Sequence, residues 1–280
     1  MTAAETFSGK YHALRTLLTM IAWFENWSEL WQCHRSSVHL PRLRFRRGFT
    51  LHHRPKDQVL LQFYEVFRDR GYRRYITEPR RGTVIDIGAN IGVVTLDWAT
   101  RLPDLRVHAY EPHPASFAML CENVQVNHLT PRIARYREAV GGRSGVVALR
   151  ASELSMETTA YRIGATPRAL EEFNVAVISL DTVIQRCNGD GAIALAKIDA
   201  EGAEADILEG ANAETLREIQ QFVIEYHDYL CPGALERCER VLVDAGFRCI
   251  TRPATPNQGL LYASRDRGQG ERGWLASAQA

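Results

Sequence analysis

Two acidic residues and a tight turn are the first places in this chain where chemistry could occur. Asp86 closes the apolar run of "VIDIGANIGVVTL" and is followed at once by Gly88, Ala89, Asn90, Ile91 and Gly92. Glu111 closes the next apolar run, in "HAYEPHP", 19 residues after Gly92. A dinucleotide fingerprint needs a second glycine for close approach of the pyrophosphate, and Asn90 stands there instead. A carboxylate at position 86 would also repel a phosphate by several kcal/mol in a partly desolvated crevice. The pair suits a ligand with cationic and hydroxyl groups and no phosphate. S-adenosylmethionine has an ammonium, a sulfonium and ribose hydroxyls. In that reading the backbone of Gly88, Ala89, Asn90 and Gly92 cradles the methionine part. Asp86 favours the ammonium, directly or through water, and Glu111 accepts from the ribose hydroxyls. A third run ends in "REAVGG", where Glu138 and the amides of Ala139 and Val140 are expected at the adenine edge.

Methyl transfer from a sulfonium needs an aligned acceptor and a dry site, and a hydroxyl acceptor must also lose its proton. Candidates stand at two later strand ends. Asp199 and Glu201 follow the fourth run, and Glu225 and His227 close the fifth. His227 is expected to serve as base near its ordinary pKa, with Asp199 and Glu201 positioning the acceptor. Lys197, in an otherwise apolar run, pairs with a carboxylate or holds an anionic substrate. The spacing of Asp199, Glu225 and His227 demands no metal, and none is expected.

The elements that must position these residues read as βα units. Strands are expected at Val84 to Ile87, Arg106 to Tyr110, Ile133 to Tyr136, Ile193 to Ile198, Gln221 to Tyr226, Arg248 to Thr251 and Leu260 to Ala263. Helices are expected at Asn90 to Thr100, Pro114 to His128, Ala203 to Glu218 and Gly233 to Ala245. Alternation of this kind makes an α/β domain with a mostly parallel sheet. "GVVALRASELSMETTAYRIG" reads as a hairpin, and "NVAVISLDTVIQRC" as a strand running into a short helix, an insertion placed to shape substrate access. Upstream, the chain reads as a helix from Tyr11 to Gln32, a short basic β element from Arg42 to His52 and a helix from Gln58 to Arg70. These divide the chain into an N-terminal helical and β appendage (1–81), the main domain (82–265) and a tail (266–280).

The blocks "VIDIGANIGVVTL", "YEPHPASFAMLCENVQVN", "AVGG", "ISLDTVI", "AKIDAEGAEADILEGA" and "VIEYH", in this order, resemble the FkbM-type S-adenosylmethionine-dependent methyltransferases. Lys197 to Gly210 is the most specific block, and alanine at 200 stands where valine is common. The resemblance implies a doubly wound, seven-stranded, Rossmann-like class I methyltransferase domain and O-methylation of a hydroxyl on a sugar, polyketide or other secondary metabolite.

Composition excludes several other classes. With 45% hydrophobic and 24% charged residues the chain is globular. Its six cysteines form no CxxC pair and are expected to be reduced thiols in the cytoplasm. "TLLTMIAWF" is too short for a membrane span and lacks a cleavage site. From His34 to Arg81 the chain carries 13 Lys or Arg against 4 Asp or Glu. A basic stretch of that kind raises an RNA- or protein-methylating alternative, although a solvated basic face is the simpler account and nucleic acid is not the expected partner. A non-catalytic partner with the same fold is a further alternative, opposed by the intact Asp86, Glu111 and 197–204 block. The stripe Trp23, Phe24, Trp27 and Trp31 is expected to pack, or to form a homodimer contact if exposed.

Overall fold

The computed structural model of the chain describes residues 14–57, 71–151, 158–159 and 171–265. The expected helix over 58–70 and the tail over 266–280 lie outside these residues. Strands β1 (Arg42–Phe45) and β2 (Phe49–His52) form an antiparallel hairpin. The main sheet contains β3 (Gly82–Ile87), β4 (Leu105–Tyr110), β5 (Ile133–Tyr136), β10 (Ile193–Ile198), β11 (Gln221–His227), β12 (Arg248–Thr255) and β13 (Gln258–Ser264). Their order across the sheet is β12-β13-β11-β10-β3-β4-β5. Strand β13 runs antiparallel between β11 and β12, and the other neighbouring pairs are parallel.

Buried on both faces, the parallel strands need nearly continuous apolar side chains, which β3, β4 and β10 have. Alternate residues divide between two cores. Val84, Leu195 and Val223 face one, while Ile85, Ala196 and Ile224 face the other. Helices Val93–Arg101 and Pro114–Val126 cover the first face, and Leu180–Arg186, Glu204–Glu209, Ala213–Glu218 and Ala234–Asp244 the second. The insertion adds β6 (Ala139–Gly141), β7 (Gly145–Ala151), β8 (Thr158–Thr159) and β9 (Glu171–Ser179), a small sheet in the order β6-β9-β7-β8.

Two helices differ from their sequence reading. The helix expected from Tyr11 to Gln32 is helical over 14–23, breaks, and resumes at Trp27–Ser36. Phe24 there bridges to Phe45, and the buried Asn26 amide accepts from Arg44 N and donates to Arg42 O. Contacts with β1 thus override the helical periodicity. The expected helix Ala203 to Glu218 is also two, because Gly210 lies against the Gly142 backbone and Asn212 caps the second piece through Thr215 N at 2.8 Å. Packing does not break at residue 82. Met20, Phe24, Leu43, Phe45, Leu51 and Tyr72 share one core with Val84, Leu96 and Trp98. Trp23, Trp27 and Trp31 are half-buried against it.

Candidate active site

Strand β3 has β4 on one side and β10 on the other, and the chain visits β4 and β5 before crossing back through the insertion to β10. Such a reversal of winding leaves a crevice at the carboxyl ends of the central strands. Gly88, Asn90 and Gly92 follow β3 with φ of 76°, 50° and 96°. This left-handed succession turns the chain sharply, and Gly88 N and Ala89 N each donate to Tyr110 O at 3.0 Å. A side chain at 88 is impossible, since its Cβ would lie 1.8 Å from Asp199 O. Glu111 continues β4 into the same corner, where Oε2 accepts from Asn90 N and Oε1 from His113 N, each at 2.8 Å. Burial pushes the Glu111 carboxyl up to about 7 despite these two bonds. Beside it, the Asn90 Oδ1 is buried and makes no hydrogen bond among the described residues.

Asp86 sits differently from the expectation. Its side chain is fully buried, accepts from Thr95 Oγ1 at 2.5 Å and lies 3.2 Å from Lys197 Nζ. Lys197, opposite Asp86 in the β10–β3 register, also donates to Gly88 O at 2.8 Å and lies 3.3 Å from Asp199. Burial alone would lower the Lys197 pKa, but Asp86 and Asp199 outweigh it and raise it. Asp86 therefore neutralises a buried ammonium of the protein itself, and its influence on any ligand passes through the Lys197-braced turn.

Across the crevice, β10 and β11 deliver a second group. Asp199 follows β10, Glu201 sits in a turn at φ 48°, and Glu225 and His227 end β11. The buried His227 ring is fixed from behind. Its Nδ1 lies 2.9 Å from the fully buried Glu204, which accepts from Ala200 N and Gly202 N. Its Nε2 faces Glu201 at 3.7 Å and Asp199 and Glu225 at 4.0 Å each. Burial would lower the imidazole pKa, yet the hydrogen bond to Glu204 and the surrounding carboxylates raise it to about 10. That upward direction opposes the base role expected of His227 near its ordinary pKa. Glu201 and Glu225 are both pushed upward, chiefly by burial and then, for Glu225, by Asp199. Ligand atoms of Asp199, Glu201 and His227 lie within 4.8 Å of one another, which is compatible with a metal ion.

Two members of this group were not singled out from sequence. Tyr72, in the short 3-10 turn Gly71–Arg73, donates to Glu225 Oε2 and lies 3.4 Å from Asp199 Oδ2. Nothing local marks it, since it precedes Asp199 by 127 positions. Glu204 belongs to the "KIDAEGAE" block, so its motif was visible while its contact with His227 was not.

At the third strand end, the Glu138 carboxylate is bound by the Arg186 guanidinium, which lies over the Tyr136 ring. It is therefore engaged by the protein. Ala139 and Val140 pair with Val177 and Ile178 in the small sheet and line a cavity of about 710 Å³ with Ala200, Ala203 and Gly210. Part of the upstream basic charge is engaged within the chain, while Arg35, Arg42, Arg74, Arg80 and Arg81 are exposed. Arg47 pairs with Asp97 at 2.8 Å and covers Trp23, Arg54 pairs with Asp57 at 2.7 Å, and Arg46 donates to Ile21 O. No helix among the described residues is long and apolar enough to cross a membrane.

Comparison with known proteins gives a concordant result. Residues 86–249 match the Methyltransferase FkbM domain. The chain is 30% identical over 236 residues to the 31-O-demethyl-FK506 methyltransferase FkbM of Streptomyces tacrolimicus, covering 74% of this chain and 89% of that protein. It is 25% identical over 223 residues to the methyltransferase sdnD of Sordaria araneosa, covering 70% and 85%. Among solved structures, the methyltransferase FkbM of Methylobacillus flagellatus KT aligns with a TM-score of 0.47 at 18% identity, over 66% of this chain and 44% of that one.

Proposed function

Starting from the premise that this chain belongs to the FkbM methyltransferase family, we propose that it moves the methyl group of S-adenosylmethionine to a hydroxyl of a small-molecule or saccharide acceptor. The observation that carries the cofactor reading is the corner where Glu111 and the buried, unbonded Asn90 Oδ1 meet the left-handed turn. The unbonded Asn90 Oδ1 and the second lone pairs of the Glu111 oxygens suit a ligand rich in hydroxyl and ammonium donors, and a phosphate would be repelled. Gly88, Ala89, Asn90 and Gly92 hold the methionine part, and Glu111 accepts from the ribose. Ala139 and Val140, on the wall of the adjoining cavity, flank the adenine, with Glu138 acting only through Arg186. Bound in this crevice, the sulfonium supplies its methyl to an attacking oxygen, and the broken carbon–sulfur pair stays on sulfur.

The chain's own residues handle the acceptor. Asp199 and Glu201 orient its hydroxyl, and Glu225, held by Tyr72 and Gln258, receives the proton. His227, held by Glu204 through Nδ1, presents Nε2 to these carboxylates. Lys197 and Asp86 brace the two central strand ends, so the turn and the acceptor group keep their spacing. Oxygen as the target is supported by the Streptomyces relative, whose name specifies an O-demethyl substrate.

The test is calorimetric binding of S-adenosylmethionine and S-adenosylhomocysteine, followed by transfer of labelled methyl to a panel of polyhydroxylated lactones and glycosides. Binding of both compounds with a mass gain of one methyl on an oxygen supports the proposal. A chain that binds neither compound is not such an enzyme.

A further inference from the structure

We infer that Asp199, Glu201 and His227 form a seat for one divalent cation beside the acceptor oxygen, a conclusion that rests on the methyl-transfer reading above. Three separate positions, one after β10, one in the turn that follows and one at the end of β11, bring their ligand atoms within 4.8 Å of each other. With the Nε2 proton released to solvent as the ion enters, the set offers one imidazole nitrogen and two carboxylates, which suits Mn²⁺ or Mg²⁺ better than any thiolate-seeking metal.

An independent observation concerns the far side of the imidazole. His227 is 1% exposed, and Glu204, fully buried and tied to two backbone amides, fixes its Nδ1. That carboxylate–histidine arrangement is the one that orients metal-ligating imidazoles. Nε2 is left with no hydrogen bond among the described residues, and it aims between the oxygens of Glu201, Asp199 and Glu225 at 3.7, 4.0 and 4.0 Å. These separations exceed a hydrogen bond. They fall in the range spanned by two ligands of one ion with bonds of about 2.1 Å.

Charge argues the same way. Among the described residues, Asp86, Asp199, Glu201, Glu204 and Glu225 surround Lys197 and His227; Asp86 and Glu204 are fully buried, and the other three are half-buried. Lys197 is committed to Asp86, Asp199 and the Gly88 carbonyl. Carboxylates converging on one half-buried point favour a cation among them. An ion held there would lie beside the acceptor hydroxyl and favour its ionised form. Glu225, bound by Tyr72 and Gln258, stays available for the proton. The sequence reading expected no metal because spacing alone does not show that these three side chains converge.

The experiment titrates Mn²⁺ into the full, metal-stripped chain and follows the free ion by electron paramagnetic resonance. One ion per chain is expected, with the affinity reduced at least tenfold in His227→Ala and in Glu201→Gln. Glu218→Gln, remote from the crevice, should match the wild type. Circular dichroism of each variant checks that it is folded. A free-ion signal untouched by the wild type, or variants that titrate like it, overturns the inference. S-adenosylhomocysteine calorimetry on the same metal-free samples separates the two readings. Nucleoside binding without Mn²⁺ binding removes the cation and leaves the methyltransferase, whereas failure of nucleoside binding strikes the methyl-transfer reading itself.

Discussion

Glu111 offers the sharpest quantitative test. Its carboxyl is buried, accepts two backbone amides and is held at about 7 rather than its ordinary 4.5. The folded chain therefore binds this proton more tightly than the unfolded chain does. The sign follows directly: the contribution to stability is fully present below pH 4.5 and is lost as pH rises through 7. At about 1.4 kcal/mol per pH unit, ionising this group costs roughly 3 kcal/mol above pH 7. Only the ionised form can accept both ribose hydroxyls, so nucleoside affinity changes in the opposite sense. With binding competence proportional to the ionised fraction, S-adenosylhomocysteine should bind about 25-fold more weakly at pH 5.5 than at pH 7.5. Calorimetry at the two pH values reads this ratio. Glu201 and Glu225 also titrate upward, so Glu111→Gln serves as the control. It should bind weakly at both pH values, with the ratio reduced to near one. It should also flatten the fall in unfolding free energy between pH 4.5 and 7. The gain at high pH will be less than the full ionisation cost, because the new amide must point an N–H group at Asn90 N or His113 N. A wild-type affinity that is equal at the two pH values would show that Glu111 is not the ribose acceptor.

Three further outcomes follow from the packing. Lys197→Met strands the buried Asp86 anion and should lower the unfolding free energy by about 3–5 kcal/mol in urea titration, while adding Asp86→Asn should restore part of the loss; equal stability of single and double variants would refute the pairing. Gly88→Ala and Gly233→Ala share a positive φ, at 76° and 80°, but only the former places its Cβ against backbone, 1.8 Å from Asp199 O. Gly233→Ala should cost about 1–2 kcal/mol and bind S-adenosylhomocysteine normally, whereas Gly88→Ala should lose that binding. Tyr72→Phe removes the hydroxyl that donates to Glu225 and faces Asp199, so kcat should fall roughly tenfold or more with the KM for S-adenosylmethionine unchanged; a matching rise in KM would mean that Tyr72 acts on cofactor binding instead.

The local pattern of this chain determined its strands and the residues at their ends. Apolar runs too short for helices, bounded by Gly82, Gly88 and Gly202, place β3, β4, β10 and β11 to within two residues, and parallel order then brings Asp86, Glu111, Asp199 and His227 to one edge of the sheet. Helix ends were less legible. A run such as 203–218 keeps its periodicity across Gly210, and only the approach of Gly142 from the insertion shows that the helix must stop. What each acid does was decided by tertiary structure. Asp86 and Glu111 look alike in sequence, but the β10–β3 register sets Lys197 against the first, while only backbone amides meet the second. His227 and Glu204 are 23 positions apart, and their contact fixes the imidazole with Nε2 facing three carboxylates. Periodicity and turn chemistry act over a few neighbouring residues and can be read along the chain. Charge state depends on burial and on partners contributed by other strands, and these exist only once the sheet has formed.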